Sequence, residues 1–412
     1  VSRTASLHPP DVRTGRIAWA VALVSTGVIG FEIALMRLLL VASWHHFAFL
    51  VISIALLGFG ASGSMLYVLR DRLLPRADGW LFGLVLATAA SMPAAATAVG
   101  FLPVEARFLP ATLAGQVGWW LAYWAILALV FTLGGAVVGL ALMMSRQDVG
   151  RVYAANLVGS GAGGALATGL MWWIEPAWLA PVMGAVVLLA LLVLRTSRPK
   201  LSWAAAGAIV IGLGCLLILL PPSIRIDPFK FRAHVQRLER QGLAERVAHA
   251  YSPRGVVEVF SGPMFHNLPF LSVGLAPPPI HALLIDGHDA ASVLDVDGPN
   301  EAAVVDQTLM ATAYELAPDH PRVLLLGERG GTNIWLAHRR GASVIDAVQS
   351  DRRIVELMRG PLRDRGGAVL NLPDVRAIVD EPRHFVETTG QTYDLIDLVS
   401  LQTLVVGGGA SA

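Results

Sequence analysis

Seven long apolar stretches fill the first 220 residues of this 412-residue chain, at about 17–43, 47–69, 80–101, 118–144, 152–174, 177–194 and 202–220. A helix needs roughly 20 apolar residues to cross the hydrocarbon core of a bilayer, and only helices or closed barrels satisfy their backbone there. The pattern confines the N-terminal half to a multi-span α-helical membrane bundle of about seven transmembrane helices. Composition agrees, since charged residues make up 15% against about 25% in soluble domains. The first stretch is too long for a plain signal peptide and has no small-residue cleavage site nearby. A net charge of +1 gives no sign of bulk nucleic-acid binding, and the single cysteine, Cys215, excludes an internal disulfide.

The links between stretches are short. Trp44-His45-His46 and Glu175-Pro176 read as turns, which makes helical hairpins of spans 1–2 and 5–6. Basic residues sort to alternate links: Arg13 and Arg16, then Arg70, Arg72 and Arg76, then Arg146 and Arg151, then Arg195, Arg198 and Lys200. The opposite links hold only Arg107. The positive-inside rule places the N-terminus in the cytoplasm, and the expected location is a bacterial inner membrane. Seven spans put the C-terminal half outside, and one span fewer returns it to the cytoplasm. Its side stays open.

Glu32 and Arg37 lie inside span 1, five residues apart and so offset on the helix. Charges in lipid face a bundle interior or an interface, either as an anchoring pair or as a solute path. His45 and His46 are adjacent and diverge on a helix, so no metal site is expected. Gly159 and Gly163 form a GxxxG step suited to close helix packing. No strand precedes them, which removes a phosphate-loop reading. Trp119, Trp120, Trp124, Trp172, Trp173 and Trp178 cluster near span ends, as interfacial belts do.

After Pro221-Pro222 the charge rises and the long apolar runs stop. The boundaries read as an N-terminal segment 1–16, a membrane domain 17–221, a linker or amphipathic surface helix 222–250, a small β-containing domain 251–318 and an α/β domain 319–412. Strands are expected at Val256–Phe260 and His281–Ile285, with Asp286-Gly287 as a turn, and a helix over 301–317. From Val323 the pattern alternates: strand, Gly327-Glu328-Arg329-Gly330-Gly331, helix, strand to Val348, Gln349-Ser350-Asp351, helix, then strands at 375–379 and 393–399. Strand, glycine turn, helix, strand and acid is the layout of a nucleotide-binding βαβ unit. Gly327 suits a tight turn, and Gly330 and Gly331 suit close approach of a ligand and the next helix. Glu328 and Arg329 crowd the place of an anionic phosphate. Asp351 reads equally as a ribose ligand or a helix N-cap.

Tyr153-Ala154-Ala155-Asn156-Leu157-Val158-Gly159, Leu284-Ile285-Asp286-Gly287, Val323 through Gly331, Val348-Gln349-Ser350-Asp351 and Tyr393-Asp394-Leu395-Ile396, in this order, resemble the spermidine synthase superfamily in a membrane-fused form. The resemblance implies a small β-domain before a Rossmann-like, methyltransferase-type domain, which would be incomplete in this chain. It implies S-adenosylmethionine or its decarboxylated form as cofactor, and aminopropyl transfer to a small amine. An amine attacks only when unprotonated, so the resemblance also implies a carboxylate that holds it and takes its proton. The cofactor positions fall on Gly327, Glu328, Gly330, Gly331, Gln349 and Asp351.

The chain departs from that pattern at its chemistry. Gln349 stands where the family has the acidic ribose ligand. Val399 stands at the place of the catalytic aspartate, or Gln402-Thr403 at that of a later Asp-Ser pair, leaving Asp397 as the nearest candidate carboxylate. The chain stops at Ala412, just past the fourth strand, so a fragment or a truncated sheet whose open edge takes a partner is expected. Three readings follow. The first is a catalytically degenerate pseudoenzyme, an accessory subunit partnered by the bilayer and another membrane protein or copy. The second is a polyamine-directed transferase, and the third a small-solute transporter.

Overall fold

A computed structural model describes residues 12–43, 46–104, 109–194, scattered positions from 204 to 214, and 224–399 save 267, 273, 277 and 278. It divides into a helical unit (1–40 and 44–225) and a second unit (41–43 and 226–412).

The helical unit contains α1 (Val12–Ala42), α2 (His46–Leu73), α3 (Ala77–Phe101), α4 (Leu109–Met144), α5 (Val149–Leu170) and α6 (Pro176–Val193). Four stretches of it are long and apolar enough to cross a membrane: Arg13–Ala42, Phe49–Phe101, Ala111–Met144 and Pro176–Val193. The expected count of seven is therefore not reached among the described residues. The 53 residues from Phe49 to Phe101 hold two of the expected spans, joined by a 3₁₀ turn at Leu74–Arg76. At about 1.5 Å per residue they rise roughly 80 Å, against about 30 Å of hydrocarbon. Glycine-rich α5 is too weakly apolar to qualify, and most of the stretch at 202–220 lies outside the described residues.

Small residues set the tightest packing. A Cβ on Gly159 would lie 2.2 Å from the Ala22 carbonyl oxygen, and one on Gly163 2.3 Å from that of Thr26. So α5 crosses α1 backbone to backbone, as the GxxxG step requires. The crossing is pinned by Ser25 Oγ donating to Asn156 Oδ1 at 2.8 Å and Thr26 Oγ1 to Gly159 O at 3.0 Å. Phe131 of α4 meets Phe31 and Phe59, each with ring centroids 5.8 Å apart. Arg13 pairs with Asp78 at 3.1 Å, and Gly15 lies beside Arg151. The start of α1, the α2–α3 bend and the start of α5 thus share one end of the bundle, which carries three of the four basic links; the fourth, at 195–200, lies outside the described residues.

The second unit has two sheets. An antiparallel sheet runs β1 (Glu245–Tyr251), β2 (Val256–Ser261), β3 (Ile280–Ile285), β4 (His288–Leu294), paired in that order. Asp286 and Gly287 both have positive φ, 50° and 77°, the signature of a tight two-residue hairpin turn. A parallel sheet holds β5 (Arg322–Leu326), β6 (Val344–Gln349), β7 (Val375–Val379) and β8 (Leu395–Leu398) in the order β7-β6-β5-β8. The helices are α7 (Phe231–Arg240), α8 (Thr332–Arg339), α9 (Arg352–Arg359) and α10 (Pro382–Thr388). One core joins the sheets, with Val257, Val259 and Leu283 packed among Val323, Leu325, Ile345 and the fully buried Trp335.

Two local expectations change. The apolar side of α7, Val235 and Leu238, is buried with Phe260, Phe265 and Leu284, so it covers the sheet and is not free to lie on lipid. Residues 301–317 form two 3₁₀ stretches, Glu301–Gln307 and Leu309–Glu315, broken at Thr308, whose extended backbone forms a bridge with Leu271.

Candidate functional site

The parallel sheet changes direction at β5, with β6 and β7 on one side and β8 returning on the other. In open α/β sheets the crevice beyond the strand ends at such a switch point takes the ligand. The residues leaving β5 and β8, Gly327–Gly330 and Val399, line a small cleft there with Pro269, Ala290, Ser292, Met310 and Asn333.

The loop after β5 is built to turn sharply. Gly327 has φ +82°, a conformation that costs a side-chain-bearing residue about 1–2 kcal/mol, and its N–H donates to Val348 O at 2.8 Å. Gly331, also at φ +82°, caps α8. The glycines serve packing within the chain. A Cβ on Gly330 would meet the Ser292 carbonyl oxygen at 2.3 Å, and one on Gly331 would meet Val369 at 2.6 Å.

Glu328 fills the loop. It is 6% exposed, and its Oε1 accepts from the N–H groups of Arg329 at 3.0 Å and Gly331 at 2.6 Å. Its Oε2 is buried with no hydrogen-bond partner among the described residues. Burial pushes its pKa up to about 7, with the two backbone donors opposing and the Asp397 charge adding. Burial lowers the pKa of Arg329, which Glu328 counteracts.

Gln349 and Asp351 are engaged by the protein. The Gln349 side chain donates to the Glu328 carbonyl and accepts from Asp351 N–H at 2.9 Å. Asp351 caps α9, its Oδ1 accepting from Arg353 N–H at 2.9 Å, and its Oδ2 accepts from Ser252 Oγ at 2.7 Å. Both open readings of Asp351 thus meet one geometry, that of an N-cap bonded to the antiparallel sheet.

In β8 the odd positions face inward. Leu395 and Val399 pack against the core, while Ile396 and Leu398 are 57% and 52% exposed. Asp397 shares the face of Val399, and its Oδ2 accepts from Asn333 Nδ2 at 2.7 Å. Burial raises its pKa, and the Asn333 bond opposes. Gln402 lies outside the described residues, as does His45. Among the described residues no group of three His, Cys, Asp or Glu could hold a metal.

Sequence reasoning missed Asn333 and Tyr314. Asn333 is 2% exposed; a polar residue on the inward side of a helix just after the glycine turn is the signal that marks it. The Tyr314 hydroxyl is buried without a partner among the described residues. Burial raises its pKa first, and the charges of Asp397 and Glu328 raise it further. Nothing local in the sequence announces that placement.

An adenosyl sulfonium ligand needs acceptors for its ribose hydroxyls and, in its carboxylated form, donors for its carboxylate. The Gln349 and Asp351 side chains and the N–H groups of Arg329 and Gly331 already have protein partners, so the residues as placed do not fit that group.

No family model matches the chain. It is 26% identical over 270 residues to a polyamine aminopropyltransferase of Shewanella oneidensis, covering 61% of this chain and 43% of that protein. The chain thus spans less than half the length of that curated relative. Two solved structures are similar, the crystal structure of spermidine synthase from Thermotoga maritima and that of a spermidine synthase with the transition-state analogue AdoDATO. Both have a TM-score of 0.28 and 16% identity, covering 38% and 39% of this chain and 48% of each of those chains.

Proposed function

We propose that this chain is a membrane-anchored, spermidine-synthase-like protein whose adenosyl site is closed, and that it acts as an accessory subunit of a membrane complex. The observation that carries the reading is that Gln349, Asp351 and the N–H groups of Arg329 and Gly331 are all bonded within the protein. The second support is chemical. Transfer to an amine needs an ionised carboxylate at the tip of β8. Val399 offers none, while Asp397 is bonded to Asn333 and biased by burial toward its protonated form. By the positive-inside rule the bundle end carrying Arg13, Arg70, Arg72, Arg76 and Arg151 is cytoplasmic.

Calorimetric titration of the detergent-purified full chain with S-adenosylmethionine and its decarboxylated form tests this. No binding to the folded protein is expected. Saturable binding of either, abolished by Gly327→Val, would overturn the accessory reading in favour of a transferase.

A further inference from the structure

We propose that Glu328 is the resident anion of the cleft and fixes the charge of what enters it: its carboxylate occupies the N–H groups of Arg329 and Gly331 and bars ligands that bear phosphate or carboxylate. A glycine turn opening a helix is a ready anion site, because unpaired N–H groups and the helix dipole converge there. Here the anion is supplied from within. Oε1 of Glu328 takes the N–H groups of Arg329 and Gly331 at 3.0 and 2.6 Å.

Three features hold Glu328 in this seat. Gln349 donates to its carbonyl, which ties the backbone to the end of β6. Gly330 is pressed against the Ser292 carbonyl, so the loop does not lift without parting from β4. Thr332 Oγ1 donates to the same carbonyl at 2.8 Å and locks the first turn of α8. The second carboxylate oxygen, Oε2, is buried with no bond among the described residues, on a side chain that lines the cleft. An entering phosphate would find the N–H groups of Arg329 and Gly331 engaged and would meet the Glu328 carboxylate. Arg329 lines the same cleft and has Glu328 as its neighbouring counter-charge. Removing the Glu328 side chain would therefore release the N–H groups of Arg329 and Gly331 for an anion to use.

The inference deepens the reading of the same cleft, and the two fail separately. Adenosyl binding by the native chain refutes the accessory reading, whereas the probe here is inorganic pyrophosphate. The detergent-purified full chain and its Glu328→Ala and Glu328→Gln variants are titrated calorimetrically at pH 8, above the raised pKa of Glu328. Glu328→Ala is expected to bind pyrophosphate at least tenfold more tightly than the native chain. Glu328→Gln, which keeps the shape and loses the charge, is expected to gain about fivefold; a factor of ten is 1.4 kcal/mol. Native binding as tight as that of Glu328→Ala overturns the proposal, as does a folded Glu328→Ala that gains nothing. Where Glu328→Ala fails to fold, Glu328→Gln decides, and no gain in that variant overturns it equally.

Discussion

Glu328 makes the stability of the second unit depend on pH in a direction set by its burial. Its carboxyl moves from an ordinary 4.5 to about 7 in the folded chain. A group whose folded pKa is raised binds its proton more tightly when folded. Its contribution is therefore fully present below pH 4.5 and is lost as pH rises through about 7. The gap of about 2.5 pH units, at 1.36 kcal/mol each, comes to roughly 3 kcal/mol lost by pH 8. Glu328 is almost fully buried, so little of this is screened by solvent.

Glu328→Gln removes the titration. The amide oxygen keeps the acceptor for Arg329 and Gly331, while the amide nitrogen replaces the unbonded Oε2 and costs about 1–3 kcal/mol at every pH. The change with pH is the clean readout. Urea unfolding of the full chain in detergent, followed by pulse proteolysis of peptides from residues 226–399, gives a midpoint at pH 4.5 and at pH 8. With m near 2 kcal/mol/M, the native midpoint is expected to fall by about 1–2 M more than that of the variant. Asp289, pushed up to about 6 by burial, acts in the same direction in both proteins and cancels in the comparison. Parallel pH profiles would refute the assignment of the buried charge to Glu328.

Other consequences are read with the same purified chain. Gly159→Leu forces a side chain into the Ala22 carbonyl and is expected to lower the thermal midpoint of the bundle by several degrees. Gly161→Leu, on the same helix with nothing within 4 Å of its Cβ, leaves it unchanged, and equal effects would reject the α1–α5 crossing. Asp351→Ala removes a cap worth about 0.5–2 kcal/mol. A double-mutant cycle with Ser252→Ala should show a coupling near 1 kcal/mol, and strict additivity would mean that the Ser252 bond contributes nothing.

What the sequence made legible was local. Asp286-Gly287, Gly327 and the four parallel strands follow from turn chemistry and from runs of four to six residues. Gly159 and Gly163 were legible as a pair because their spacing is itself the mechanism. The rest depends on partners remote in the chain. The periodicity of α7 reveals an apolar side but not whether lipid or a sheet will cover it. The tightness at Gly330 comes from Ser292, and the second bond of Asp351 from Ser252, each brought there by the antiparallel sheet. The apparent helix at 301–317 yields to the bridge between Thr308 and Leu271, a tertiary contact that propensity does not anticipate.

The alternation in β8 bears on whether Asp397 stands in for a carboxylate at Val399. The two side chains share one face, so the difference between them is depth and not direction. Two residues of strand separate them by about 6–7 Å. At its depth Asp397 meets Asn333 of α8, and its charge helps to raise the pKa of Glu328. An amine at the tip of the strand, where Val399 lines the cleft, would stop short of Asp397. On the proposed reading, one carboxylate too deep and another in the loop act together, and both favour charge exclusion over transfer.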